Sequence, residues 1–152
     1  MITAKDIMTK DVVTVTPDTS IGALAALLVS RQISGAPVLD SAGALYGIVT
    51  ENDLISQNQR LHIPTVVSFL GAAIYIESSK KFEQEVKRVT ATRVMDICTK
   101  KVTTVTEDAP LVDIATLMAE KKVQLLPVMK AGKITGIIGK RDVVRAIAQQ
   151  AG

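Results

Sequence analysis

Residues 5–18 read KDIMTKDVVTVTPD, and residues 95–108 read MDICTKKVTTVTED. Asp6-Ile7 aligns with Asp96-Ile97, Thr9-Lys10 with Thr99-Lys100, and Thr14-Val15-Thr16 with Thr104-Val105-Thr106. The register continues through Pro37-Val38 against Pro127-Val128, drops one residue in a turn, and resumes with Gly47-Ile48 against Gly136-Ile137 and Asp53 against Asp142. A solenoid needs more and shorter units. Two copies this far apart predict two similar halves about a pseudo-twofold axis, with any site at their junction present in two related versions.

Working outward from the repeat, each copy spells the same order of elements. Val12 to Thr16 is β-branched and bounded by Pro17-Asp18, which predicts a short strand. Thr19-Ser20 offers a helix cap, and Ile21, Leu24, Leu27 and Leu28 recur at helical spacing, with a stop near Ser34-Gly35. Ala36 to Leu39 reads as a buried strand with Pro37 near its start. Asp40 to Gly43 is turn chemistry, Ala44 to Thr50 a further strand, and a helix begins at Glu51. The second copy repeats this: a strand over Val102–Thr106, a helix from Pro110 to about Lys122, strands over Leu126–Met129 and Ile134–Gly139 around a turn at Ala131-Gly132, and a helix from Lys140. The fold class is α/β of the α+β type, with two repeats of strand-helix-strand-strand-helix. The organisation is repeat one over 1–59, a connecting insert over 60–92, and repeat two over 93–152.

The insert matches neither copy. Ile63 to Ile76 is almost uncharged and apolar, shorter than the roughly 20 residues that cross a bilayer, and interrupted by Pro64, Ser68 and Gly71. It reads as a buried connector or an oligomer face. Ser78-Ser79 then caps a charged helix from Lys80 to about Val89. His62, the only histidine, reads as a loop residue rather than a general base.

Composition removes several classes of function. The 152 residues are 47% hydrophobic, with no Trp, two Tyr and two Phe, so the core is aliphatic and there is no aromatic platform for stacking bases. A net charge of +3, dispersed among acids, carries no footprint for a nucleic-acid polymer. The single Cys98 excludes an intramolecular disulfide and reads as a small apolar filler aligned with Met8. No nucleophile–base pair, metal-ligand spacing or P-loop stands out, so no enzyme is expected and no metal or cofactor is implied. Residues 1–11 hold no signal-peptide apolar block, which makes the cytoplasm the default location.

The sharpest local motif is Gly47-Ile48-Val49-Thr50-Glu51-Asn52-Asp53. Its plain reading is a capping box, in which Thr50 accepts from the Asp53 N–H and Asp53 reaches back. Its functional reading is a ribose clamp: the carboxylate accepts from the sugar hydroxyls while the first helical turn favours an anion. The second copy reads Gly136-Ile137-Ile138-Gly139-Lys140-Arg141-Asp142. There the hydroxyl is gone, the aspartate stays, and Lys140 and Arg141 supply charge for a phosphate.

In order, spacing and duplication these motifs resemble cystathionine-β-synthase (CBS) domains. The resemblance rests on Asp6 to Thr9, Val13 to Asp18, Gly35 to Val38 and Gly47 to Leu54, and covers residues 5–59 and 93–149. It implies a stand-alone CBS pair, two repeats packed sheet to sheet, with adenosine derivatives in two clefts between them: AMP, ADP, ATP, S-adenosylmethionine or cyclic dinucleotides. By this resemblance Thr50 and Asp53 contact ribose and phosphate, and Asp142 is their counterpart. Gly35, Ala36, Pro37 and Val38, with Gln124, Leu125, Leu126 and Pro127, line the adenine, and Val13-Thr14 with Thr103-Thr104 add a further wall. The function implied is a regulatory adenine-nucleotide sensor that forms a homodimer and acts on an effector protein. The competing reading is a structural dimerisation module with degenerate clefts.

Overall fold

The computed structural model describes residues 1–57 and 92–152. His62, the apolar run from Ile63 to Ile76 and the charged helix over Lys80 to Val89 lie outside the described residues. The chain clusters into two compact units. The first comprises Met1–Thr14, Leu39–Tyr46 and Lys100–Gly152; the second comprises Val15–Val38 and Gly47–Thr99.

In the first unit, helix α1 (Ala4–Ile7) leads onto elements of the second repeat. Ala4 N–H donates to Ala109 O at 2.8 Å, Lys5 N–H to Glu107 O at 2.9 Å, and Leu111 N–H to Ile2 O at 2.9 Å. Sequence order gives no hint of this, because the lead-in of the first repeat is bound by residues a hundred positions on. Strand β3 (Val105–Thr106) lies parallel to β4 (Leu125–Lys130), which lies antiparallel to β5 (Lys133–Gly139). The β4–β5 turn is Ala131-Gly132, with φ of 52° and 77°, the two positive angles of a type I′ hairpin. Helices α5 (Leu111–Lys121) and α6 (Lys140–Ala151) complete the unit. Leu111, Ile114 and Met118 follow the 3–4 spacing of one helix face, and they meet Leu126, Val128, Ile138, Val143 and Ala146 in a wholly aliphatic core.

The second unit repeats the device with the roles exchanged. Here the lead-in of the second repeat, helix α4 (Val94–Ile97), sits on first-repeat residues. Val94 N–H donates to Thr19 O at 2.9 Å and Met95 N–H to Pro17 O at 3.0 Å. Helix α2 (Ile21–Arg31) starts at Ser20, whose Oγ accepts from Ala23 N–H, and buries Leu24 and Leu28. It ends three residues before the expected Ser34 because Gln32 turns left-handed (φ 53°) and Ile33 N–H closes onto Leu28 O. Lys122 (φ 54°) ends α5 in the same way, with Val123 N–H on Met118 O. Strands β1 (Gly35–Leu39) and β2 (Leu45–Thr50) pair, and residues 51–57 are helical (α3).

The early strands are shorter than the sequence predicts, and the prolines explain why. Val12–Thr16 reduces to one bridge, Val15 to Val38, and Val102–Thr106 reduces to Val105–Thr106. A strand residue turns its N–H and C=O to the same side. Pro37 uses its carbonyl to accept Val15 N–H at 3.0 Å, so its missing donor faces the same neighbour and the ladder stops. Pro127 precedes the Val105–Val128 pair in the same position.

Each terminal strand has its outer edge closed by a lead-in. Thr9 exchanges two backbone bonds with Ile137 (2.9 and 3.0 Å), and Thr99 exchanges two with Ile48 (both 2.9 Å). Closing an exposed strand edge removes a template for aggregation. The approach is close: a Cβ on Gly47 would stand 2.7 Å from the Thr99 backbone oxygen, which requires glycine there, and one on Gly136 would strike the Met8 side chain.

Candidate functional site

Both candidate aspartates stand three residues past a strand end, at the first turn of a helix. In the second unit, Asp53 Oδ2 accepts Thr50 N–H at 2.8 Å and Thr50 Oγ1 at 3.4 Å. The expected reciprocal box is therefore one-sided: the hydroxyl faces the carboxylate instead of accepting the Asp53 N–H. Glu51 N–H donates to Ser34 O at 2.8 Å, which brings the start of α3 against the start of β1. Thr50, Asp53 and Gly35 therefore gather at one end of this unit. Oδ1 of Asp53 has no protein donor among the described residues.

In the first unit, Asp142 Oδ2 accepts Gly139 N–H at 2.8 Å, so losing the hydroxyl does not end the cap. The persistence of Asp142 is thus accounted for by helix capping and is not in itself a mark of a ligand. Its Oδ1 faces Arg145 Nη1 at 3.5 Å. Leu125 pairs with Gly139 across β4 and β5, which places Leu125, Gly139 and Asp142 together. A Cβ on Gly139 would meet only ordinary contacts, at 3.5 Å from Leu125 and 3.8 Å from Asp142. The space therefore accepts a side chain at Gly139.

The same cap occurs at both lead-ins, where the sequence reading did not see it. Asp6 Oδ2 accepts Thr3 N–H at 2.8 Å and Thr3 Oγ1 at 3.0 Å, and Asp96 Oδ2 accepts Arg93 N–H at 2.9 Å. The backbone N–H of Thr3, then its hydroxyl, hold the exposed Asp6 carboxyl below its ordinary value. The detectable clue was spacing: an aspartate three residues after the residue that starts each helix.

The expected adenine walls are core strands. Gly35, Ala36, Pro37 and Val38 are all buried, as are Leu125, Leu126 and Pro127, while Gln124 is half-buried. With their side chains packed inward, what these segments present to a ligand is backbone. Val13 is half-buried and Thr14 exposed; Thr103 is half-buried and Thr104 exposed. Lys140 and Arg141 are exposed at the start of α6. By compact unit, Val13, Thr14, Gln124, Leu125, Leu126, Pro127, Lys140, Arg141 and Asp142 fall in the first, whereas Gly35 to Val38, Thr50 and Asp53 fall in the second.

An open groove of about 530 Å³ in the first unit, lined by Thr3, Lys5, Glu107, Asp108, Met129 and Lys130 among others, holds none of these residues. Lys130 Nζ and Glu107 Oε1 pair across it at 3.6 Å. Among the described residues no group of three or more His, Cys, Asp or Glu side chains is placed to hold a metal ion, and no helix is long and apolar enough to cross a membrane.

The family model for the CBS domain matches this chain twice, over residues 4–59 and 94–149. The chain belongs to the CBS domain family. Among CBS proteins it is 32% identical over 154 residues to an uncharacterised protein of Methanocaldococcus jannaschii, covering 94% of this chain and 89% of that one. It is 33% identical to the chloroplastic CBS domain-containing protein CBSX2 of Arabidopsis thaliana, covering 89% of this chain but only 58% of the relative. A crystal structure of CBSX2 in complex with AMP matches over 100% of both chains, with 28% identity and a TM-score of 0.75. A CBS-domain containing protein from Agrobacterium tumefaciens matches over 96% of this chain and 99% of the other, with 29% identity and a TM-score of 0.72. These likenesses establish the paired CBS repeats and the mixed α+β fold.

Proposed function

We propose that this CBS pair is a regulatory module that binds an adenosyl ligand of the AMP, ADP or ATP kind and relays the binding energy to an effector protein or through its own dimer. The observation that carries the reading is the state of Asp53. One carboxylate oxygen is fixed by Thr50, and the other has no protein donor among the described residues, which suits it to accept ribose hydroxyls. The likeness to CBSX2, whose structure holds AMP, supports the ligand class. S-adenosylmethionine satisfies the same ribose chemistry.

The ligand acts as a regulatory effector rather than a cofactor, and turnover is not part of the role. Neither a nucleic-acid polymer nor a membrane span enters this reading, which places the module in the cytoplasm. A second reading, a dimerisation module with degenerate clefts, draws on Asp142, whose two oxygens are both engaged by the protein. Mass spectrometry of small molecules released on denaturing the purified chain tests the choice. An adenosyl compound at up to two per chain, unconverted on incubation with ATP, is the expected result. A chain that releases nothing and takes up no added adenosyl compound contradicts it.

A further inference from the structure

The two aspartates share a cap but differ in their second oxygen. Asp53 Oδ1 has no protein donor among the described residues, whereas Asp142 Oδ1 is taken by Arg145 Nη1 at 3.5 Å. Arg145 stands three residues after Asp142, one helical turn along the same face. Ser56 occupies the matching position after Asp53, so that position of the helix supplies no guanidinium. The surroundings diverge in the same sense: Lys140, Arg141 and Arg145 accompany Asp142, while Glu51, Asn52 and Ser56 accompany Asp53. The Asp142–Arg145 pair is long and its arginine 65% exposed, against 16% for the carboxylate. Such an exposed pair is weak and easily parted.

We propose that Arg145 is a specificity-determining residue that makes the Asp142 site select adenosyl ligands bearing a phosphate over uncharged or cationic ones. This rests on the adenosyl reading above. Ribose hydroxyls and Arg145 compete for the same oxygen, Asp142 Oδ1. A nucleoside that takes the oxygen leaves the guanidinium without its anion. A nucleotide supplies a replacement, because a phosphate is a charge-assisted, bidentate partner for arginine. A cationic sulfonium ligand meets three like charges in addition. Among the described residues the Asp53 site lacks this competition, and it discriminates less.

Calorimetry with AMP and adenosine on the Asp53→Ala chain isolates the Asp142 site. The expected result is AMP bound about tenfold or more tightly than adenosine, the worth of one hydrogen bond to a charged group. Arg145→Ser should bring the two within about threefold, and Arg145→Lys should retain most of the preference. A helix-stabilising ion pair with no ligand role would lower the melting temperature in Arg145→Ser and leave the AMP-to-adenosine ratio unchanged. That unchanged ratio overturns the proposal alone. Binding by the unmutated chain with none by Asp53→Ala also overturns it, since Asp142 then holds no ligand. No binding of AMP or adenosine by the unmutated chain removes the adenosyl reading and this role with it.

Discussion

Replacing Asp53 separates a ribose clamp from a helix cap, provided the substitution spares the cap. Asp53→Asn keeps an oxygen that can accept Thr50 N–H, now made at 2.8 Å, and removes the charge. Asp53→Ala removes both. Losing a cap of this kind costs about 0.5–2 kcal/mol of folding free energy, a melting shift of roughly 1–8 °C for a chain of this size. A ribose diol on Oδ1 makes hydrogen bonds to a charged group, each worth about 1.5–3 kcal/mol. At 1.4 kcal/mol per decade, losing one lowers affinity by roughly 10- to 150-fold. Asp53→Asn should therefore weaken AMP by about tenfold or more at one class of site while hardly moving the melting temperature. Thr50→Ala should retain more affinity than Asp53→Ala, because Asp53 still accepts the backbone N–H. Titration calorimetry paired with thermal melts reads both quantities. AMP affinity within threefold of the unmutated chain in a well-folded Asp53→Asn protein would refute the clamp and return Asp53 to capping alone.

Gly47→Ala should destabilise the fold by about 1–3 kcal/mol, read by urea denaturation, because its Cβ would press on the Thr99 backbone at 2.7 Å where two edge bonds form. Gly136→Ala, which meets the Met8 side chain and no backbone, should cost less. For Asp6, whose folded pKa is lowered by Thr3, the stabilisation is present above the unfolded value and lost as pH falls through the folded one. Thermal melts from pH 6 to pH 2 should show a shallower acid limb in Asp6→Asn than in the unmutated chain, and parallel limbs would contradict this.

The duplicated motifs made the element order readable, and the helical spacing of Ile21, Leu24, Leu27 and Leu28 located the first repeat's helix, which the second repeat matches. The stop of α2 was read too far along because Gln32 adopts the left-handed conformation that glycine usually marks. The early strands were read too long because propensity at Val12 to Thr16 does not register a missing donor on Pro37, a neighbour more than twenty residues away. The crossing of the lead-ins was hidden because Thr9 with Ile137, and Thr99 with Ile48, are joined by backbone bonds, which leave no side-chain pattern beyond the small residues at Gly47 and Gly136. At the candidate site, Thr50, Asp53 and Asp142 were legible from spacing. The burial of Ala36, Val38 and Leu126 and the ion pair of Arg145 depend on packing and rotamers. The lost hydroxyl at Gly139 left a working cap, so capping accounts for an aspartate at 142 with or without a ligand.

The central claim is that the chain binds an adenosyl ligand, and a thermal melt of the full chain against AMP tests it most directly. At a hundred times the dissociation constant one occupied site adds about 2.7 kcal/mol, which for this size raises the melting temperature by roughly 5–10 °C. That rise is expected for AMP or a relative among ADP, ATP, S-adenosylmethionine and cyclic di-AMP, saturating with concentration. A melting temperature unmoved by all five at millimolar concentration would contradict it.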